Sequence, residues 1–435
     1  MNAVVIFAIL SVLLIAGKIL RVQLPLLQKL YLPSSVVGGI LGLVLLTVFP
    51  NAVPGDIVRE MRLMPGFLIN VIFATLFLGV ALPKMQNFAS SVFSQLTLAQ
   101  IVVWGQYVVG IGLCGFVLMP LFGVHPAFGN LLELGFEGGH GTVGGMSQAF
   151  TAKGWSDGIA LGYTVATSGM IIGIVLGMTL VNWAYRKGLV RTVRPFSARN
   201  IAERRGIHLR GKRPSAGRQT VAADSVDSLA WHVAIVGISV LIGWGLWHLV
   251  PLKGFPLFPL CMIGGVILQM AAKLVHVDLL IDRVQMERVS GAALDFLALS
   301  AIATIELSVV VANWMPLTIM IVSGIAWTTF AVLFFGPRLF KEAWFERAIA
   351  EFGQATGVTA TGLLLLRTVD PESKTPASAS FAGKQLLHEP GMNLWVALAF
   401  ALIFTIGWLK VFLICTGMLA IWLIVSVVIM RRAKS

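Results

Sequence analysis

Apolar stretches long enough to cross a membrane recur along the chain and alternate with short polar connections. A spanning helix needs about 20 mostly apolar residues. Stretches near this length predict helices at residues 3–20, 34–49, 66–82, 98–121 and 158–185, and then at 229–249, 258–272, 293–312, 317–335, 393–409 and 412–430. The pattern predicts an all-α polytopic membrane protein.

Two glycine-rich segments interrupt the apolar pattern. The first, 136–146, combines five glycines with Glu137, His140 and Thr142, and the second, 353–362, combines three glycines with three threonines. Lipid offers no hydrogen-bond partner to a loosened backbone, so such segments are tolerated at membrane depth only where protein shelters them or water reaches them. We therefore predict a re-entrant loop at residues 127–150 and another at 350–366. Paired breaks of this kind indicate a transporter's binding site.

Short motifs recur in the same order in both halves of the chain. Pro33-x4-Gly38-Gly39 is matched by a Pro-x4-Gly-Gly motif at 259–265, and a Phe-Leu motif at 67–76 is matched at 296–305. With one glycine-rich segment after each series, the order predicts two inverted repeats of about five helices each, residues 1–185 and 229–411. Residues 412–435 would add a C-terminal helix and tail.

Composition and charge agree with this architecture. Hydrophobic residues make up 57% of the chain and charged residues 12%, which excludes an ordinary soluble domain. Most of the +13 net charge lies in residues 186–228, where eleven Lys or Arg face three acids, a net +8. The positive-inside rule makes this linker cytoplasmic, so no nucleic-acid partner is needed to explain the charge. The same rule places the N-terminus outside and the C-terminus inside.

The residue types in the glycine-rich segments suit an anionic substrate and a sodium ion that both lose water. Half-helix N-termini present N–H groups to a carboxylate, and hydroxyl and carbonyl oxygens replace the hydration shell of sodium. An extended stretch would point Thr359 and Thr361 the same way. The predicted substrate-binding residues are Gly138, Gly139, His140, Gly141, Thr142, Gln354, Thr356 and Gly357. The predicted sodium-binding residues are Glu137, Gly353, Thr359 and Thr361.

Three polar residues leave alternatives open. His140 has no second ligand at metal-binding spacing, so no metal site beyond sodium is predicted. Its ring has three possible roles, which are a structural hydrogen bond, contact with the substrate, or proton coupling. Glu137 adjoins the first glycine-rich segment, and Glu306 is expected in the middle of a helix, where an acid is functional by default or neutral and hydrogen-bonded.

No catalytic constellation is present, and no cofactor apart from sodium is predicted. The sequence contains no nucleotide-binding loop, no serine elbow and no paired metal-binding histidines. We therefore predict that the protein is not an enzyme. A membrane-embedded enzyme that uses His140 and Glu137 is a remote alternative, because good acid–base partners are lacking in the second half.

The motifs resemble those of the bacterial sodium/glutamate symporter family. Val37-Gly38-Gly39 after Pro33, the loop 138–142, and Gly353-x3-Gly357-x-Thr359-x-Thr361 carry the resemblance. It implies sodium-coupled symport of glutamate or a similar small carboxylate by elevator-like alternating access, in a homodimer embedded in the bacterial inner membrane.

The chain also departs from the family pattern. Ala355 stands where the family favours glycine, and residues 367–390 are more polar than expected. These departures leave glutamate itself open, so another carboxylate could be the substrate. A separate alternative is a proton-coupled carboxylate or amino-acid carrier of the same architecture. Glu137, Glu306 or His140 would then carry the proton.

Overall fold

The computed structural model describes residues 2–30, 32–80, 89–190, 201–208, 213–250, 255–371 and 374–432, and these residues form helices and connections without any strand. The helices of the first half are α1 (Asn2–Gln23), α2 (Pro25–Lys29), α3 (Ser34–Val48), α4 (Gly55–Met61), α5 (Met64–Thr75), α6 (Ala89–Leu113), α7 (Met119–Phe122), α8 (Leu131–Phe136), α9 (Gly139–Gly145), α10 (Ser147–Ala152) and α11 (Asp157–Arg186). Those that follow are α12 (Ile201–Arg205), α13 (Ser228–Trp247), α14 (Phe258–Leu274), α15 (Arg283–Ala303), α16 (Leu307–Ala312), α17 (Trp314–Leu339), α18 (Trp344–Val369), α19 (Ala377–Ile406) and α20 (Trp408–Arg432).

The prediction of an all-α polytopic membrane protein is confirmed. Within the described ranges, eight helices are long and apolar enough to cross a bilayer, and α3 and α14 are shorter apolar helices. The predicted membrane segments coincide with helices, although several boundaries differ.

Two predicted helix boundaries differ from those in the structure. The predicted helix 293–312 is divided, since α15 ends at Ala303 and α16 begins at Leu307. Glu306 is therefore an exposed residue between two helices, and the expectation that it lies mid-helix is wrong. Conversely, α19 begins at Ala377, sixteen residues before the predicted start at 393. Its first part is polar, but several of these polar side chains are buried against protein.

Some predictions fall outside the described residues. They include part of the basic linker, at 191–200 and 209–212, and the C-terminal residues 433–435. The described part of the linker contains the short helix α12, and Lys18 of α1 donates hydrogen bonds to the carbonyls of Arg205 and Gly206, both at 2.9 Å.

The chain divides into two compact units. Unit 1 consists of Met1–Leu82, His140–Ser156 and Asn200–Ile305. In unit 1, α1 packs on α3 and α13 packs on α14, while α3 packs on α15 and α14 packs on α5. Its buried clusters are apolar and include Leu10, Met61 and Leu299 in one, and Leu78 and Met286 in another. Among the described residues of unit 1, no Asp, Glu, Lys or Arg is fully buried.

Unit 2 consists of Pro83–Gly139, Asp157–Arg199 and Glu306–Ser435. Its central helix is α6, which packs against α17, α18, α19 and α20, while α11 packs along α18 and α8. A buried apolar cluster is formed mainly by side chains of α6, α17 and α18. Unit 2 also buries charged side chains, namely Glu133, Glu346, Arg347, Glu351, Asp370 and Lys384.

Candidate functional site

The first glycine-rich segment leaves the helical path just after α8. Gly139 has a φ of +68°, a left-handed conformation that glycine adopts without the cost of a Cβ. The chain passes from unit 2 to unit 1 directly after this residue. Glu133 and Glu137 lie on the unit 2 side of the turn, and Tyr107 of α6 donates a hydrogen bond to Glu133 Oε2 at 2.6 Å.

The second glycine-rich segment breaks α18 into two half-helices. Gly357 and Val358 have non-helical dihedral angles inside the helix. A Cβ placed on Gly353 would lie 2.7 Å from Cα of Gly362, although nine residues of straight helix span about 13.5 Å. The half-helices on either side of the break therefore fold back against each other. Glycine at 353 and 362 is what permits this close approach.

The two breaks meet inside unit 2. A Cβ on Gly139 would overlap Cγ1 of Val358, so the side chain of Val358 rests on the backbone of the first segment. Val358 itself has a φ of +63°, which is a strained conformation for a β-branched residue and costs roughly 1–3 kcal/mol. Such strain persists only where the surroundings impose it, and it concentrates at functional sites.

Glu137 lies at this junction and is the centre of a polar network. Its Oε1 accepts hydrogen bonds from Gln354 Nε2 at 3.0 Å and from His388 Nε2 at 2.5 Å. The carboxylate is only 8% exposed, and its other oxygen, Oε2, is buried without a hydrogen-bond partner. One oxygen of this acid is thus held by two donors, while the other has no hydrogen-bond partner among the described residues.

The proton on His388 is placed by the groups behind the ring. Trp104 Nε1 donates to Gln100 Oε1 at 2.7 Å, which turns Gln100 Nε2 towards His388 Nδ1 at 3.1 Å. Because an amide N–H can only donate, Nδ1 accepts and Nε2 carries the ring proton. His388 is therefore a neutral donor to Glu137 in this arrangement.

A buried ion pair fixes Gln354 in the same way. Lys384 Nζ donates to Glu351 Oε1 at 2.8 Å and to Gln354 Oε1 at 2.9 Å. Since an ammonium group can only donate, the amide oxygen of Gln354 must face Lys384, and its Nε2 is left for Glu137. Lys384 is 0% exposed and Glu351 is 1% exposed, so the pair is fully enclosed.

Further donors satisfy the remaining atoms of this ion pair. Gln95 Nε2 donates to Glu351 Oε2 at 2.9 Å, and Gln95 Oε1 accepts from Arg347 Nε at 3.1 Å. A buried ion pair persists only when such hydrogen bonds complete it. The first half of α18 is thereby joined to α6 and α19.

A second polar group lies on the far side of the break in α18. Thr359 Oγ1 donates to Glu389 Oε1 at 3.0 Å, and Gln385 Nε2 donates to the same carboxylate oxygen at 2.8 Å. Gln385 Nε2 also donates to Thr359 Oγ1 at 2.6 Å. Gln385 Oε1 is buried without a partner.

Unit 2 brings several of the predicted site residues together and gives others local roles. Glu137, Gly139, Gln354 and Thr359 belong to the junction and its network. Thr356, in contrast, donates to the carbonyl of Phe352 at 2.8 Å, which is the ordinary back-bond of a helical threonine.

Other predictions about the two segments fare differently. Thr361 is buried in the second half-helix, and the expected extended stretch from 359 to 361 is wrong because these residues are helical. His140, Gly141 and Thr142 are buried in unit 1. Their assignment to a substrate site stays a prediction, as do the assignments of Gly138 and Gly357 to that site and of Gly353 and Thr361 to sodium.

Sequence reasoning missed the polar residues of α19. Lys384, Gln385, His388 and Glu389 occur at spacings of one, four and five along the chain, which places them on one side of a helix. This polar side within a mostly apolar region was the available signal. The polarity of residues 367–390 was instead interpreted as a departure from the family pattern, because the helix was predicted to begin only at 393.

The comparisons with known proteins identify the family. The family model described as sodium/glutamate symporter matches residues 1–342, which is more than three quarters of the chain and ends just before α18. A curated relative, the sodium/glutamate symporter of Haemophilus influenzae, is 23% identical over 268 residues, which cover 60% of this chain and 62% of that relative. The chain belongs to the sodium/glutamate symporter family.

Proposed function

We propose that the protein is a secondary active transporter that couples the entry of sodium to that of glutamate or a similar small carboxylate. The observation that carries the proposal is the buried carboxylate of Glu137 at the meeting point of two helix breaks, with Oε2 unpartnered. An acid at membrane depth is costly and is therefore expected at an ion or substrate pathway. Both the family and its relative are described as sodium/glutamate symporters.

The substrate carboxylate binds, in this proposal, near the break in α18. The half-helix that begins at Thr359 presents backbone N–H groups and a partial positive charge at its first turn. Gly138, Gly139 and Gly357 allow the substrate to approach the backbone closely. Sodium binds, in the same proposal, at the carboxylate of Glu137. Because the chain belongs to a family of symporters, we propose a transporter and not the membrane-embedded enzyme considered as an alternative.

Matched contacts in unit 1 support an internal repeat. A Cβ on Gly38 would lie 2.5 Å from the carbonyl oxygen of Leu13, four residues before Gly17, and one on Gly264 would overlap the carbonyl oxygen of Ser239, four residues before Gly243. The same helix crossing therefore occurs once in each half. We infer that the halves are inverted repeats, an arrangement found in many carriers that work by alternating access.

Four finer features belong to the proposal. They are an elevator-like movement, assembly as a homodimer, residence in the bacterial inner membrane, and an external N-terminus with a cytoplasmic linker and C-terminus. The charge distribution supports the orientation. Labelling of single cysteines near Arg204 and Gly154 tests it, since the first should react from the cytoplasm and the second from outside.

Uptake into proteoliposomes tests the function. Purified protein should accumulate labelled glutamate or a related small carboxylate when an inward sodium gradient is imposed, and accumulation should stop when choline replaces sodium. Glu137→Gln should abolish sodium-driven uptake while the protein remains inserted. Equal uptake in sodium and choline would contradict the proposal.

The bond between His388 and Glu137 favours one second candidate, a proton-coupled carrier. An imidazole on a buried carboxylate is a common pathway for protons. In that case a protonophore would collapse uptake and sodium would be irrelevant. The same proteoliposomes, with a proton gradient in place of the sodium gradient, distinguish the two candidates.

A further inference from the structure

Among the described residues, the buried oxygen atoms near the break in α18 that have no hydrogen-bond partner include Glu137 Oε2 and Gln385 Oε1. Buried polar atoms are nearly always paired, because an unpaired one loses its bonds to water without replacement. Glu137 is more than nine-tenths buried, so protein encloses its unpaired oxygen. Two such oxygens beside one helix break indicate a binding function for this place.

The charge of Glu137 has no direct counter-charge. Its two donors, His388 and Gln354, are neutral in the orientation that Trp104 and Lys384 impose on them. The ammonium of Lys384 is already paired with Glu351. Glu137 therefore differs from Glu351, whose charge is matched by a bonded cation.

Glu389 repeats this arrangement from α19. Its Oε1 accepts from two neutral groups, the Thr359 hydroxyl and the Gln385 amide. The two acids are neighbours through adjoining residues, since His388, which bonds to Glu137, directly precedes Glu389, and Thr359, which bonds to Glu389, directly follows Val358, whose side chain lies against Gly139. Two neighbouring carboxylates with neutral donors are destabilising unless a positive charge is shared between them.

We propose that Glu137, Gln385 and Glu389 together form a binding site for a monovalent alkali-metal cation. Carboxylate and amide oxygens are the ligands that hard cations prefer. The inference rests on the proposed function, because it assigns ligands to the coupling ion. It also extends beyond the family match, since Gln385 and Glu389 both follow residue 342.

Thr359 acquires a different role from the one predicted for it. Its hydroxyl proton is given to Glu389 and its oxygen already accepts from Gln385. It is a positioning residue, which holds Glu389 Oε1 so that the remaining carboxylate oxygen is available to the cation. Because Thr359 begins the second half-helix of α18, the cation site is joined directly to the break.

Sodium binding to the purified protein without substrate tests the proposal independently of transport. Sodium chloride is titrated against choline chloride at constant ionic strength, and the midpoint of thermal unfolding is followed. Wild-type protein should be stabilised progressively by sodium. Glu389→Gln and Glu137→Gln should each raise the half-maximal sodium concentration at least about tenfold, because each removes a charged ligand. Glu342→Gln, at an exposed acid, is the matched control and should leave the titration unchanged.

A conservative variant covers the case in which Glu389→Gln does not fold. Glu389→Asp keeps the charge but withdraws it by one methylene, so it should weaken sodium binding by an intermediate amount. A wild-type titration in both Glu389 variants would overturn the proposal. A second result would also overturn the proposal. If the stability of wild-type protein depends on pH but not on sodium, and Glu389→Gln removes the pH dependence, the two acids share a proton and not a cation.

Failure of the cation site and failure of the proposed function are distinguishable. If sodium stabilises the protein through Glu389 but no carboxylate is taken up in a sodium gradient, the site stands and the symport proposal falls. If sodium drives uptake with equal affinity in wild type and Glu389→Gln, symport stands and the site is wrong.

Discussion

Unit 1 and unit 2 are both helical, but they bury different chemistry. Among the described residues, every fully buried Asp, Glu, Lys and Arg lies in unit 2. Unit 1 uses close helix contacts at glycine and apolar side chains. Charges are costly to bury, so their restriction to unit 2 supports our placing of the proposed transport site there.

The two units also treat their interrupted helices differently. In unit 1, α5 ends early at Thr75, and Arg283 Nη1 donates to the carbonyls of Thr75 and Leu76 at 3.0 and 2.9 Å. Those freed carbonyls are thus occupied by the protein itself. In unit 2 the break in α18 lies beside a carboxylate oxygen without a partner. This unpaired oxygen is the reason why we place the proposed ligand site at the second break.

The largest expected effect that tests this comparison is the loss of the buried ion pair in unit 2. Lys384→Met removes the ammonium and leaves Glu351 as an enclosed, uncompensated carboxylate. We expect a loss of about 3–5 kcal/mol in the free energy of unfolding. Thermal and denaturant unfolding in detergent measure it.

A matched change in unit 1 should be far milder. Ser300 is fully buried in α15, and its hydroxyl only donates to the carbonyl of Leu297 at 3.1 Å. Ser300→Ala should therefore cost no more than about 1 kcal/mol. The double variant Lys384→Met/Glu351→Met should recover part of the stability, because it removes both charges but leaves Gln354 Oε1 without the donor that Lys384 supplied. Equal losses at Lys384 and Ser300 would remove the distinction between the units.

The next effect concerns two glycines with the same backbone conformation. Gly139 and Gly154 have φ values of +68° and +71°, but only Gly139 has a neighbour, Val358, where a Cβ would be. Both alanine variants pay about 1 kcal/mol for the left-handed conformation. Gly139→Ala must also push Val358 away, and we expect uptake to fall by roughly tenfold to a hundredfold.

Gly154→Ala serves as the control, since its Cβ would meet open space. Uptake per inserted protein should be unchanged in this variant. Similar uptake in the two alanine variants would mean that the contact between the two breaks has no part in transport.

The sequence predicted the fold class and both helix breaks because their signals are local. Apolar length marks spanning helices, and glycine marks a loosened backbone. The family predicted from the same motifs is confirmed. Glu137 and Gln354 were also singled out correctly as neighbours of the breaks, although their binding roles stay predictions.

The partners of these residues could not be predicted in the same way. Glu137 bonds to His388, which follows it by 251 positions, and Gln95 bonds to Glu351 over 256 positions. Such pairs depend on which helices pack together, and no local pattern encodes that. Thr356 shows that a local pattern can also mislead. Its position in a glycine-rich segment suggested a ligand, but its hydroxyl bonds within its own helix.

The smallest expected effect separates a threonine that holds an acid from one that does not. Thr359 donates to Glu389, whereas Thr304 of unit 1 is buried and donates to the carbonyl of Ser300 at 2.9 Å. A hydrogen bond to a charged group is worth about 1.5–3 kcal/mol. Thr359→Val should therefore raise the sodium concentration for half-maximal uptake by about tenfold.

Two further variants show whether that effect comes from the hydroxyl. Thr359→Ser keeps it and should restore sodium affinity to within about twofold of wild type, and Thr304→Val, with the same change in unit 1, should leave sodium affinity unaltered. By linkage, substrate affinity at fixed sodium should fall in Thr359→Val and recover in Thr359→Ser. Unchanged sodium affinity in Thr359→Val would show that Glu389 keeps its position without the threonine. Of the two acids, only Glu137 would then depend on the break in α18 for its position in the cation site.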